Sequence, residues 1–166
     1  MNDSLNVCLA CGLCCDGTLI GFVQVASDEL FRLKKLMEIE DSGNNGFFLQ
    51  PCDNYCDGCS IYTKRPKQCI DFKCGLLTSV ETKQLDFNSA NEIIALVKFQ
   101  KNEIEKKLAS QKFVFKSQSF YFKMIELKKQ LDKIKPASLK PFHKELRVHL
   151  TNLNCLLLNR FDLSFF

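Results

Sequence analysis

The sequence predicts a mostly α protein: an irregular cysteine-rich module over residues 1–80, packed with a helical C-terminal region over residues 81–166 as one compact unit. Three observations predict it. Nine of the ten cysteines fall between Cys8 and Cys74. Beyond about residue 80, apolar side chains recur at helical spacing. The charge divides at the same place: residues 1–82 carry 7 Lys/Arg and 11 Asp/Glu, net −4, whereas residues 83–166 carry 16 and 8, net +8. Halves of opposite charge present different surfaces. The length of 166 residues suits one domain, or a small domain with an extension.

Along the front half, Ser27-Asp28-Glu29 has the form of a helix start, with the hydroxyl as N-cap and two acids at the positive end of the dipole. Leu30, Phe31, Leu33, Leu36 and Met37 continue that period to about Glu40. The stretch from Asp41 to Gly46 is expected to be a loop. Residues 47–75 follow cysteines rather than an apolar period, so no regular element is expected there. In the rear half, Ser89-Ala90-Asn91-Glu92 is a capping-box pattern, opening a helix with Ile93, Val97, Ile104 and Leu108 on one stripe. A second helix is expected over residues 118–134, with Phe120, Met124, Leu127, Leu131 and Ile134 at alternating four- and three-residue steps. Pro136 and Pro141 punctuate the chain before a third helix carrying Phe142, Leu146, Leu150, Leu153 and Leu157. Phe113-Val114-Phe115 leaves a short strand open as an alternative. Amphipathic helices must bury their stripes, so these pack on one another or on the cysteine module.

Composition excludes several classes. No apolar run approaches the ~18 residues of a membrane-spanning helix. The opening Met1-Asn2-Asp3-Ser4 lacks a basic and an apolar leader segment, and the triplet Leu9-Ala10-Cys11 has no hydrophobic segment before it, so neither export nor lipidation is expected. The expected compartment is the cytoplasm, where structural disulfides are rare and clustered cysteines more often serve metal or redox chemistry. The lysines of the rear half alternate with Phe and Leu as on the solvated faces of core helices, and no nucleic-acid-binding signature accompanies them. The aromatic stripes serve the core first, and a protein partner or self-association second. Phosphate-binding and nucleophile-elbow motifs are missing.

The run Cys8-Leu-Ala-Cys11-Gly-Leu-Cys14-Cys15 carries most of the information. On a continuous helix its four thiols would lie within roughly a 120° arc and repel one another unless a cation neutralised them. If Gly12 breaks the segment, Cys8 and Cys11 form a knuckle that presents two sulfurs to one metal. Either geometry asks for metal. Adjacent residues tend to point apart, so Cys14 and Cys15 suggest two ions rather than one. Adjacent cysteines also bridge each other poorly, which favours ligation over a disulfide framework.

The second ligand-rich segment runs Pro51-Cys52, then Cys56 and Cys59-Ser-Ile61-Tyr62-Thr-Lys-Arg65-Pro66-Lys-Gln-Cys69, and ends at Cys74. Together with C-x-x-C-x-x-C-C at Cys8–Cys15, this pattern resembles the YkgJ-type cysteine-cluster family, described as zinc- or iron-chelating. The likeness covers residues 8–74. It implies Cys8, Cys11, Cys14, Cys15, Cys52, Cys59, Cys69 and Cys74 as metal ligands. Cys56 does not match the family's spacing and reads as a supernumerary ligand, a substitute for one of the eight, or a free thiol; Cys155 lies outside the match.

Eight thiolates divide naturally into two tetrahedral sulfur sites, the closed arrangement that structural zinc favours. Each would carry a formal charge of about −2 with zinc, offset by backbone amides and by Lys64, Arg65, Lys67 or Lys73. An iron–sulfur cluster uses the same thiolates, although the common ferredoxin spacings are absent. The expected function is therefore a cytoplasmic protein holding about two metal ions, zinc first, with an iron-dependent or iron–sulfur enzyme or redox protein as the alternative. Tyr62, Arg65 and Pro66 are expected to shape the module, the guanidinium neutralising a thiolate or pairing with Asp71, ahead of a substrate-binding role. Asp16, Asp53, Asp57 and Asp71 are expected to bond their own turns. His143 and His149 lie about 120° apart on a helix, which makes them poor co-ligands.

Overall fold

The structure, a computed structural model, describes residues 3–111 and 113–166; Met1 and Asn2, part of the opening tested for a leader, and Lys112 lie outside them. Among the described residues are α1 (Asp3–Cys11), β1 (Phe22–Val25), α2 (Ser27–Leu33), β2 (Glu40–Ser42), β3 (Asn45–Leu49), α3 (Lys67–Asp71), α4 (Gly75–Glu81), α5 (Phe87–Ala109), α6 (Phe120–Asp132) and α7 (Pro141–Phe161). The protein is mostly α, as its apolar periodicity predicts. No helix among these residues is long and apolar enough to cross a membrane.

The rear half follows its sequence closely. Helix α5 begins at Phe87, ahead of the expected capping box, because the Asp86 carboxylate caps it and accepts from Ser89 N at 3.0 Å and Ser89 Oγ at 2.6 Å. Ser89 is thus a donor to the cap, and the negative charge sits on the positive end of the helix dipole. The buried stripe of α5 is Ala90, Ile94, Val97 and Ile104, with Ile93 and Leu108 on its flank. Helix α6 buries Phe120, Met124, Leu127 and Leu131. In α7, Pro141 occupies the first turn, where its missing N–H costs nothing. Leu146, Leu150, Leu153, Leu157 and Phe161 form its inner face. That face packs on α4, α5 and α6. Phe113 and Phe115 lie in coil, not in a strand, their rings stacked with centroids 6.2 Å apart.

Apolar burial joins the two halves. The larger core combines Val7, Leu13, Leu19, Leu76 and Val80 from the front with the inner stripes of α5, α6 and α7. Through it α1 packs on both α4 and α5. A smaller core of Val23, Val25, Leu33, Met37 and Phe48 lies beneath the sheet.

The sheet is the main departure from expectation. Its order is β1-β3-β2, antiparallel throughout, with Phe22 opposite Leu49 and Ser42 opposite Asn45. The stretch Asp41–Gly46 is thus the end of a hairpin rather than a free loop. Gly43, at φ +62°, supplies the left-handed backbone that tight hairpin turns favour. Helix α2 stops at Leu33, short of Glu40; Ala26 holds its N-cap position, and Ser27 N donates instead to Asn45 Oδ1 at 3.1 Å. The chain must turn there to feed β2, while Leu33 and Met37 stay in the small core. Gly46 permits this closure: a Cβ on it would lie 2.5 Å from Ile39 Cγ2 and 2.7 Å from Leu30 Cδ2. Replacing Gly46 by Ala should cost about 1–3 kcal/mol by overpacking. Denaturant unfolding would measure this, and an unchanged midpoint would contradict the packing described.

Candidate metal centre

The first four cysteines are set by the end of a helix. Cys8 and Cys11 sit in the last turns of α1, and Gly12 then breaks the helix at φ +69°. Of the two geometries left open by the sequence, the broken one is found. Gly12 also lies flat against Tyr55, since a Cβ would come 2.4 Å from the Tyr55 hydroxyl. The following turn is tied by Asp16 N to Gly12 O at 2.9 Å and by Thr18 N to Leu13 O at 3.0 Å. Fully buried Leu13 anchors it in the large core.

Three further contacts hold this turn against the body of the protein. Asp16 accepts from Thr18 N at 2.9 Å through one oxygen and pairs with Lys101 Nζ of α5 at 2.9 Å through the other. Both side chains of that ion pair are largely buried, at 15% and 13% exposure, so losing either leaves a charge with poor hydration. Tyr121 N, at the start of α6, donates to Gly17 O at 2.7 Å. Cys52 N donates to Cys15 O at 2.8 Å, which draws the second cysteine segment onto the first.

Cys52, Cys59, Cys69 and Cys74 then arrive from separate pieces of chain: a turn, a bridge between Tyr55 and Cys59, α3, and the residue before α4. All eight expected ligands line one cavity of about 280 Å³, walled by apolar residues that include Val23, Phe48, Phe72 and Leu77. The charges around the adjacent pair differ: Cys8, Cys11 and Cys74 bear on Cys14, whereas Cys52, Cys59 and Cys69 bear on Cys15. Cys14 and Cys15 are the seam between the two groups. All ten cysteines are free thiols. Among the described residues, no three Cys, His, Asp or Glu side chains are drawn tightly enough together to hold an ion as they stand. Coordination at ~2.3 Å would need the sulfurs of each group to turn inward.

The remaining predicted residues fall elsewhere. Cys56 is exposed and Cys155 lies exposed on α7; neither lines the cavity. Asp53, Asp57 and Asp71 do not line it either. His143 Nδ1 accepts from Lys140 N at 3.2 Å, and His149 Nδ1 faces Gln100 at 3.1 Å, both on the helical side of the protein. Arg65 does not pair with Asp71: Nη1 donates to Tyr62 O at 3.1 Å and the guanidinium lies over the Tyr62 ring at 3.7 Å. Lys67 pairs with Asp28, and Lys73 pairs with Glu81 beside the cavity. Sequence reasoning missed the short helix after Cys74, although Leu76, Leu77 and Val80 carry its period.

No protein-family model, curated protein or solved structure matches the chain. The likeness to the YkgJ-type family rests on the cysteine motif itself.

Burial decides the protonation of these thiols. It raises Cys11, Cys15 and Cys69 each to about 12, reinforced by the charges of neighbouring cysteines. Cys14 is pushed well above the ordinary 9.0, and Cys8, Cys52 and Cys74 are raised, by the same cause. Backbone amides oppose the shift at Cys74, from Leu77 and Leu76, and at Cys11, from Leu13. The neutral thiol is therefore the form the metal-free fold prefers. A folded value above the unfolded one gives stability that is complete below about pH 9 and lost as pH rises towards 12. Melting of reduced, metal-free protein should accordingly drop through that window, and a flat profile would count against thiol burial.

Proposed function

We propose that the protein binds two metal ions through two cysteine quartets, Cys8–Cys11–Cys14–Cys74 and Cys15–Cys52–Cys59–Cys69, with zinc as the metal. The observation that carries the reading is the convergence on one cavity of eight thiols drawn from five separate pieces of chain. Neutral thiols pack as small apolar groups, whereas thiolates that share a buried cavity repel one another. A divalent cation reverses that repulsion, and an all-sulfur donor set of four suits zinc.

The donor chemistry supports this reading in a second way. Backbone amides of Leu13, Asn54, Leu76 and Leu77 pull Cys11, Cys52 and Cys74 towards the thiolate, the form that a metal ligand takes. Binding displaces the thiol protons, so affinity falls as pH falls. Two structural sites, each worth on the order of 10 kcal/mol near neutral pH, would stabilise the irregular segments between β3 and α4 where the chain has little core of its own. The ions then serve to hold the front half in shape, and catalysis is not required of them.

Metal analysis of reduced protein, with variants in each quartet, tests the assignment. The intact chain should hold two zinc ions and be colourless. Cys11→Ser and Cys69→Ser should each retain one ion, the double variant none, and Cys56→Ala both. A brown protein absorbing near ~400 nm would replace zinc by sulfur-ligated iron. Loss of both ions from either single variant would refute two independent quartets.

A further inference from the structure

We propose that Arg65 is a counter-charge shared by the two cysteine quartets, stabilising the thiolates of both when metal is bound. The inference rests on the two-site reading above. Closing four thiolates around one divalent ion leaves a net charge of about −2 in each quartet, and part-buried charge of that size needs a nearby cation.

The surroundings offer few. Lys101 is paired with Asp16, Lys67 with Asp28, and Lys73 with Glu81. Lys98 of α5 gives its Nζ to Ala10 O at 3.2 Å, bears on Cys11 and does not line the cavity. The acidic groups that face the thiols, Asp16, Glu29, Asp53, Glu81 and Asp162, add further negative charge. Arg65 differs from every lysine named. Like Lys73 it lines the cavity that all eight sulfurs share, but among the described residues no carboxylate pairs with it.

Its geometry suits a shared role. Stacking on Tyr62 and the bond from Nη1 to Tyr62 O fix the guanidinium plane. Nε is buried and has no hydrogen-bond partner, which is an unusual state for a charged donor. Its positive charge reaches Cys8 in one quartet and Cys69 in the other. Guanidinium is the suitable cation here because its several donors lie in one rigid fork and can face two acceptor sets at once. Pro66, buried directly after it, holds the backbone that presents the side chain.

Competition titration with a zinc chelator tests this in the two one-site backgrounds, Cys11→Ser and Cys69→Ser. Adding Arg65→Gln should weaken the remaining site by about 10- to 100-fold in both backgrounds, the usual cost of removing a group that supports metal ligands. Arg65→Lys should recover part of it, and the deficit of Arg65→Gln should shrink in 1 M salt, which a purely structural role would not produce. Lys98→Gln serves as the contrast, weakening only the quartet that contains Cys11. A loss in one background alone would assign Arg65 to a single quartet and overturn the proposal; unchanged affinity in both would do the same. Failure of the one-site backgrounds to bind any zinc would instead strike the two-site reading itself. Circular dichroism of each variant separates weakened binding from misfolding.

Discussion

Thiols that share a buried cavity can be neutral together, but they cannot all be ionised together without a cation between them, and the front half of this chain is organised around that constraint. The turn after α1 is where it is enforced. Leu13 sinks into the large core, Asp16 is clamped to Lys101, and Gly17 O receives the first turn of α6. These contacts leave Cys14 and Cys15 facing two different sets of partners. Each later cysteine is then delivered by its own short element, from the turn at Cys52 to the residue before α4.

The helical half supplies what the cysteine segments lack. Residues 50–74 contain a single turn of 3-10 helix and the short α3, with no buried apolar stripe of their own. Short segments of this sort seldom stay ordered without ligation or a surface to pack on. Here α5 and α7 give that surface, because Leu76 and Val80 of α4 pack the end of the cysteine region onto them. The opposite net charges of the two halves fit this arrangement, with Lys101 of α5 meeting Asp16 of the turn. Leu96 and Phe99, three residues apart on α5, and Val148 of α7 remain exposed on the helices.

Sequence reading reached different depths in the two halves for physical reasons. In α6 and α7 the apolar residues recur often enough for the helical period to exceed any local ambiguity, and even the missed start of α5 was off by a cap residue, Asp86 in place of Ser89. The sheet was invisible because its strands are three to five residues long. Val23 and Val25 alternate with Phe22 and Gln24 as a half-buried strand should, but four residues give too few repeats to outweigh the neighbouring helical pattern. Leu36 and Met37 extended that helical pattern falsely, since α2 ends at Leu33 and Met37 is buried by the turn that follows. The cysteines of the cavity were legible as residue types at telling spacings. Their sorting into two groups was not, because it depends on where a hairpin, a 3-10 turn and two short helices bring them. Arg65 was legible as a cation near thiols, whereas its stacking on Tyr62 and its place in the wall of the shared cavity needed three dimensions.

The most direct measurement is X-ray absorption at the edge of the bound metal in the loaded protein. The account predicts a first shell of sulfur alone, about four neighbours per ion at about 2.3 Å, without nitrogen or oxygen scatterers. A shell containing oxygen or nitrogen, or a chain that folds with its thiols oxidised to disulfides and takes up no metal, would contradict it.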